Sequence, residues 1–570
     1  NLTVLKTLFI HDNEITALDL STNRSLEEAT CSKNLLEEVN IANGNNTGIT
    51  SLSFTDNATL ECIQVDNPAY SDTASNWNKD ATSSYSLDCS TTIISYVNHA
   101  ATGNNDGTSW ADAYTDLREA FVNAIEGNEI WAAKGTYIRQ NTTDRNSVFG
   151  WNKDNVKVYG GFDGTETMLS ERDWRANKTI MSGDIGTAGD KSDNCYTVFV
   201  GPIGSSADRI SYGLLDGFVI QDGNSNVAGS DLTSRGAGFN LQGYVSEMKI
   251  KNCVFTNNTA VQGGGIYGIA STVNSTLTID ACEFYGNDAR FGSGALFVTN
   301  GADLTLNMSN SLLHNNETKD MGTLGDGGSG VIYVQGQGHK NINANISNTT
   351  ITNNINNAGG HKGSLLFYRH SQATGSKIMT LNNCIIWGNE GDVHSIIKNT
   401  TGTDFNSLAV NNTLLQYKIA ANILNVAKTN IIIESPMFTD STNNVFTLKV
   451  GSPAIDAGTQ SGLSISTKDI GGTDRIIGSE IDLGCYEYNP KASIRRVKTA
   501  TVSLYPNPTS GILNIKSDKN ITNVSVLNLA GQKVLESNNK SIDVSNLPTG
   551  MYILQTEGTE GLGTARFIKQ

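Results

Sequence analysis

The sequence predicts an all-β chain organised around a parallel β-helix, and three observations carry that prediction. First, one motif returns between about Gly217 and Gln416. It reads Asn-Cys-Val-Phe-Thr-Asn-Asn from Asn252, Ala-Cys-Glu-Phe-Tyr-Gly-Asn from Ala281 and Asn-Ser-Leu-Leu-His-Asn-Asn from Asn310. It recurs as Asn-Thr-Thr-Ile-Thr-Asn-Asn from Asn348, Asn-Cys-Ile-Ile-Trp-Gly-Asn from Asn383 and Asn-Thr-Leu-Leu-Gln from Asn412. The starts are 29, 29, 38, 35 and 29 residues apart, a period that marks stacked structural units. Second, each period holds two further strand-like runs. One is led by glycine (Gly265-Ile266-Tyr267, Gly294-Ala295-Leu296-Phe297, Gly330-Val331-Ile332-Tyr333). The other alternates with period two (Leu277-Thr278-Ile279, Leu304-Thr305-Leu306, Ile342 to Ile346, Leu408-Ala409-Val410), which puts apolar side chains on one face and polar ones on the other. Third, asparagine and glycine close the runs, as residues that tolerate left-handed backbone. Three short strands per turn without an intervening helix form no βαβ unit, so the chain is expected to coil into three stacked parallel sheets. The longer spacings place insertions after the third and fourth rungs.

Composition narrows the function classes. The 570 residues carry 40 Lys+Arg against 56 Asp+Glu, a net charge of −16, and that field disfavours nucleic acid and anionic membranes as partners. Fifty-seven glycines against 8 prolines fit a turn-rich β protein. No apolar run approaches the ~20 residues of a membrane-spanning helix. Asn1 falls inside a repeat, so the start is expected to be a processed or truncated end.

Residues 1–90 carry a second repeat. Leu5-x-x-Leu8-x-Ile10-x-x-Asn13 is followed by Ile15-x-x-Leu18-x-Leu20-x-x-Asn23, Leu26-x-x-Ala29-x-Cys31-x-x-Asn34 and Ile49-x-x-Leu52-x-Phe54-x-x-Asn57. This resembles a leucine-rich repeat fragment, with half-repeats every ten or eleven residues and a C-terminal cap over 68–90. Cys62 and Cys89 flank the cap, and a bridge between them is the preferred disulfide, fitting an exported protein. Eight cysteines nevertheless leave the pairing undetermined by sequence.

Residues 91–490 are expected to form the β-helix. A helix near 116–126 with Thr115 as N-cap and Gly127 as stop would cover the open edge of the first rung. Tyr96-Val97-Asn98, Ile130-Trp131-Ala132-Ala133-Lys134-Gly135-Thr136-Tyr137 and Tyr159-Gly160-Gly161-Phe162 resemble bacterial surface proteins with right-handed parallel β-helices, in the style of polymorphic outer-membrane proteins and adhesins. In such proteins a run like Ser452 to Gly458, with Ile481-Asp482-Leu483-Gly484-Cys485-Tyr486-Glu487-Tyr488, ends the helix. The right hand comes from this resemblance and from the crossover rule.

After a basic linker at 491–500, residues 501–570 read as a small β-sandwich. Leu504-Tyr505-Pro506-Asn507-Pro508-Thr509-Ser510-Gly511, Leu529-Ala530-Gly531-Gln532, Leu547-Pro548-Thr549-Gly550-Met551-Tyr552 and the closing Phe567-Ile568-Lys569-Gln570 are very similar to the type A C-terminal sorting domain of the type IX secretion system. The resemblance implies recognition by that machinery through Pro506, Asn507, Pro508, Gly511, Gly531, Gly550, Tyr552 and Lys569. It also implies export from a Gram-negative cell, removal of the domain near 491–500, and release or attachment at the surface.

Catalytic signals are weak. Cys253, Cys282 and Cys384 share one repeat position and are expected to form an inward thiol ladder. Gly338-His339-Lys340 and Gly360-His361-Lys362 faintly resemble the Gly-His-Gly of pectin-cleaving hydrolases, but the Asn-Thr-Asp, Asp-Asp and Arg-x-Lys runs of those enzymes are missing. Asp280 and Glu283 could offer the paired carboxylates of a glycosidase, yet no acidic column continues through the neighbouring rungs. Arg290, Asp320 and Asp326 could be assembled into a lyase site only arbitrarily. Asp456, Asp469, Asp474, Arg475, Asp482 and Glu487 read as a hydrogen-bonded cap around Arg475, with structural calcium as the alternative. The expected function is therefore a secreted, surface-displayed binding or adhesion protein that presents an extended face to glycans or matrix. The competing expectation is a polysaccharide lyase or glycoside hydrolase on the same fold.

Overall fold

The computed structural model describes residues 4–570 except 61, 88, 90–92, 140–142, 202–209, 228–233, 244, 271–272, 291–292, 301, 320–330, 337–339, 358–365, 371–375, 390–396, 400–406, 417–425, 464, 491–498, 501, 518–520, 529–532 and 559–560. His339, His361, Asp320, Asp326, Gly531 and most of the linker fall outside the described residues.

The first ninety residues build two parallel four-stranded sheets. Thr7–Phe9, Glu28–Thr30, Ser51–Ser53 and Trp77–Asn78 form one; Ala17–Asp19, Glu38–Asn40, Cys62–Gln64 and Ser84–Ser86 form the other. Successive half-repeats thus alternate between sheets. Leu8, Ala29, Leu52 and Trp77 stack in one register, and Leu18, Val39, Ile63 and Tyr85 in the other. Asn34 ties the turns, its Nδ2 donating to the Ile10 and Cys31 carbonyls and its Oδ1 accepting from Ile15 N. A disulfide joins Cys62 and Cys89, whose Cα atoms lie 5.4 Å apart.

The β-helix starts with Ile94–Val97 paired in parallel to Glu129–Ala133, then Val156–Phe162 and Ile210–Asp216. The helix Leu117–Asn123 differs from expectation in its cap and its end. Asn105 Oδ1 takes both the backbone N and the hydroxyl of Thr115, so the Asp116 carboxylate caps instead, accepting from Arg118 N at 2.9 Å. Leu117, Ala120 and Phe121 are fully buried, and the Phe121 ring meets Trp151 and Phe199.

Each later rung carries a long strand (Val245–Lys251, Ser275–Asp280, Leu304–Ser309, Ile342–Ser347, Lys377–Asn382) and a short one (Val254–Thr256, Glu283–Tyr285, Leu312–His314, Thr350–Thr352, Ile385–Trp387). Between them the chain bends at a left-handed residue: Asn252, Ala281, Asn310, Asn348 and Asn383 have φ of 52°, 53°, 50°, 46° and 54°. A seven-stranded parallel sheet that includes Phe239–Gly243, Ile266–Ala270, Leu296–Asn300 and Ile332–Gly336 makes another wall. A fourth wall of two-residue strands, Asn224–Ser225, Thr259–Ala260, Asp288–Ala289, Glu317–Thr318 and Ile355–Asn356, was not anticipated. Two residues are too few to show alternation.

Inside, Phe255 stacks on Phe284 at 4.9 Å and 9°, and Ile250, Ile279, Met308, Ile346, Leu381 and Val410 continue the core without exposure above 1%. The last asparagine of each motif points inward. Asn258, Asn287, Asn316, Asn354 and Asn389 form a ladder in which each amide donates to the next Oδ1 and to a carbonyl of an earlier rung. The buried polar groups are thereby satisfied.

Residues 436–488 return along the side of the solenoid rather than closing its end. The short strands expose apolar outward positions at Leu312, Ile385 and Leu414, and Phe438, Phe446, Leu448, Ala454, Leu483 and Cys485 pack on them. That burial is the reason for the lateral course. Past the linker, a three-stranded sheet (Val502–Tyr505, Ile512–Ser517, Ser541–Asp543) faces a five-stranded one ending in Gly550–Gly558 and Gly561–Lys569. Leu513, Val524, Val526, Leu554 and Phe567 fill the space between them.

Candidate functional site

The residues singled out in the C-terminal sandwich converge on its last strand. Pro506 and Pro508 follow cis peptide bonds, and Asn507 between them lies beside that strand. The Asn507 amide donates to the Arg566 carbonyl at 3.0 Å and accepts from Ile568 N at 2.9 Å. Thr509 continues the pairing, its N donating to the Ile568 carbonyl and its carbonyl accepting from Gln570 N. Gly511 N turns back to Thr509 Oγ1, Gly550 lies opposite Lys569 in register, and Tyr552 stacks on Phe567 while its hydroxyl donates to the Pro548 carbonyl. Lys569 is buried and its ammonium meets the Gln570 carbonyl. The Pro-Asn-Pro segment is thus fastened to the carboxyl-terminal strand of the module.

The candidate catalytic groups of the β-helix are engaged elsewhere. Asp280 and Glu283 stand on either side of the bend at Ala281, which turns them onto adjacent walls. Asp280 accepts from Ser309 and Ser466 hydroxyls and faces Lys251 at 3.7 Å. Glu283 meets His314 Nε2 at 3.0 Å, and the His314 ring is sandwiched between Tyr285 and Phe446 of the returning segment. Arg290 has a buried Nε with no hydrogen-bond partner. The thiols of Cys282 and Cys384 are fully buried and directed at main-chain carbonyls. Burial pushes Cys384 up to about 12 and Cys282 well above the usual thiol range, so neither supplies a thiolate at neutral pH.

The acidic closing motif is a hydrogen-bonded network. Arg475 pairs with Glu487 at 3.2 Å with both side chains buried, and donates to the Gly484 carbonyl. Asp482 accepts from Asp456 N and Tyr488 N, Asp469 from Thr473 N and Glu487 N, and Asp456 from Ser479 N and Glu480 N. Among the described residues no group of three or more His, Cys, Asp or Glu is arranged to hold a metal. Burial, reinforced by the Asp482 and Asp469 carboxylates and only partly offset by Arg475, raises Glu487 to about 8. The folded chain therefore holds a proton that the unfolded chain, near 4.5, releases. This stabilisation is complete below about pH 4.5 and is lost as pH rises through about 8, at up to ~1.4 kcal/mol per unit. Urea midpoints of the β-helix transition should fall across that window, and Glu487→Gln should flatten the fall. An unchanged slope in the variant would refute this role.

Among the described residues no segment packs over the wall of the long strands. On the long strands the register aligns Thr276, Thr305, Asn343 and Ile378 in one outward column, with the Ser407 backbone next in register, and Thr278, Asn307, Asn345, Thr380 and Ala409 in the next. Thr276, Thr278, Thr305, Asn307, Asn343, Asn345 and Thr380 are partly exposed. The Asn345 amide donates to Asn307 Oδ1 at 3.0 Å. Sequence reasoning saw the alternation of these strands but not the columns, which appear once the rung-to-rung offset is applied to the polar positions.

Comparison with known proteins adds two findings. Residues 503–570 match the family model described as a secretion system C-terminal sorting domain. The chain is accordingly exported, engages the type IX secretion machinery through this module, and is secreted or attached to the cell surface. Among solved structures it is similar to one titled "Crystal structure of pectate lyase Pel9A", at 14% identity and a TM-score of 0.41, covering 70% of this chain and 97% of that one. No curated protein matches. Among the described residues no helix is long and apolar enough to cross a membrane.

Proposed function

We propose, from the premise of an exported chain with a type IX sorting module, that this is a surface-displayed binding protein whose β-helix holds glycans or matrix ligands, with adhesion as its role. The observation that supports this reading best is the pair of outward columns. From Thr276 to Asn345 they are polar, partly exposed and repeated over three rungs, whereas Asp280 and Glu283 are bonded to neighbours and border the segment that covers the adjoining wall. Solenoids suit such work because local contacts build a long rigid surface. In this reading residues 1–90 are a leucine-rich array that extends the display, and the sorting module is removed within 491–500 after export.

A glycan-array screen of the full chain, run with calcium and with chelator, tests the proposal. The same polysaccharides are assayed for new reducing ends and for absorbance from unsaturated products. Binding without product is expected. Turnover that persists through purification would overturn it and return attention to Asp280 and Glu283.

A further inference from the structure

Over its first three rungs the open wall is a lattice of small polar groups, and Ile378 and Ala409 interrupt it at the later rungs. Successive rungs lie ~4.8 Å apart and alternate residues along a strand ~6.7 Å apart, so from Thr276 to Asn345 the two columns present hydroxyls and amides at fixed intervals in both directions. The lattice is stiff. Its backbone is held by parallel pairing on both sides, its threonines have restricted χ1 rotation, and Asn345 is tied to Asn307. It is also uncharged. From Thr276 to Ala409 neither column contains an acid or a base, although the chain carries a net charge of −16. Charge returns one rung earlier, where Glu247 and Lys249 occupy the same columns and pair with each other. On the flank, the neighbouring column from Asp280 to Asn382 meets the returning segment: Ser466 reaches Asp280, and Asn310 and Asn383 beside it bond Lys468 and Thr459. That segment covers the apolar wall and stops at the lattice.

We infer that this wall binds the surface of an ordered, uncharged polysaccharide, its chains packed side by side as in an insoluble fibre. The inference rests on the glycan-binding reading above and names its ligand class. A carboxylated or sulfated glycan would find no cation in the columns. A single soluble chain would find no aromatic platform in these columns to stack on. A packed neutral fibre offers hydroxyls that repeat in two dimensions, as the lattice does. Each hydrogen bond adds little beyond the water contacts it replaces, so affinity comes from repetition, and the preset geometry reduces the ordering cost of each contact.

The test is co-sedimentation of the full chain with microcrystalline cellulose and with chitin, beside soluble neutral glycans and soluble polyuronate. Depletion onto the fibres is expected, with little response to salt. Thr305→Lys combined with Asn345→Lys should reduce it at least tenfold at an unchanged melting temperature, while Lys249→Ala, outside the lattice, should leave it unchanged. If the lysine pair lowers the melting temperature, Thr278→Ala with Asn343→Ala is substituted, and a threefold or greater loss is required. Fibre binding that withstands the lattice variants overturns the inference. Binding of soluble glycans alone also overturns it while leaving the glycan-binding reading intact; no binding to any glycan ends both.

Discussion

Deletion of residues 503–570 is expected to abolish appearance of the protein outside the cell, with the truncated chain retained inside the envelope. The module is a folding unit with its own interior, in which Leu513, Val524, Val526, Leu554 and Phe567 pack together. The solenoid interior, from Val97 to Leu415, draws on none of these side chains. Loss of the module should therefore leave the β-helix folded and change its address alone. Cell fractionation, with protease added to intact cells, reads this directly. The truncated chain should be protected from protease and its melting transition should survive. A narrower change should act in the same direction. Asn507→Ala removes both hydrogen bonds that hold the Pro-Asn-Pro segment to the final strand, and should lower the surface amount several-fold. Undiminished surface display of the deletion would refute the role assigned to the module.

The largest expected loss of stability belongs to Asn316→Ala. Asn316 is buried mid-ladder. Its amide donates to the Phe284 carbonyl at 2.8 Å, to the His314 carbonyl at 3.1 Å and to Asn354 Oδ1 at 3.0 Å. Its oxygen accepts from Asn287 N and Nδ2. Alanine leaves these partners buried and unmatched, each at a cost of ~1–3 kcal/mol, and opens a cavity between rungs. A total of about 3–5 kcal/mol is expected after partial relaxation. Asn315→Gly is the contrast. That residue sits one position earlier, on the surface and in the left-handed region at φ 51°, with its amide on Asn444; glycine accepts this backbone, so the loss should stay below ~1 kcal/mol. Urea titration of both variants decides, and a cost below ~1 kcal/mol for Asn316→Ala would refute the ladder's energetic role.

The parts of the fold that local chemistry dictates were legible in the sequence. Asn252, Asn310, Asn348, Asn383 and Asn412 open their motifs and are the left-handed bends themselves, because few residues other than glycine and asparagine take that backbone without strain; Ala281 is the exception, held at φ 53° by the same bend. Alternation located the long strands because strand side chains have period two. What depended on distant partners was not legible. The returning segment covers Leu312, Ile385 and Leu414, and its signal was the doublets Leu312-Leu313, Ile385-Ile386 and Leu414-Leu415, where alternation fails because both faces are buried. The alternation of the N-terminal half-repeats between two sheets is likewise a property of pairing, not of spacing. The cap of the short helix turned on local competition: Asn105, ten residues upstream in sequence, had already engaged Thr115. For the candidate site, the asparagines in the sequence do not say which of them face inward. Burial separates them, with Asn258 and its stack inside and Asn307, Asn343 and Asn345 outside.

The returning segment also changes how the molecule should carry load. A bare stack of rungs transmits force only between nearest neighbours and can unzip one turn at a time. Here Arg175 donates to the Ile470 carbonyl, Asn310 to Lys468, Asn353 to Ser441, Asn383 to Thr459, and Thr350 accepts from Cys485 N. Turns far apart along the stack are lashed to one strap, much as a batten stiffens a row of slats. In a surface-attached form held at its C-terminal end, tension would reach this strap before the final turns, and peeling the last rung would require the strap to detach as well. For a protein tethered at that end and pulled by flowing water at the other, resistance to shear is set by the batten rather than by the weakest slat.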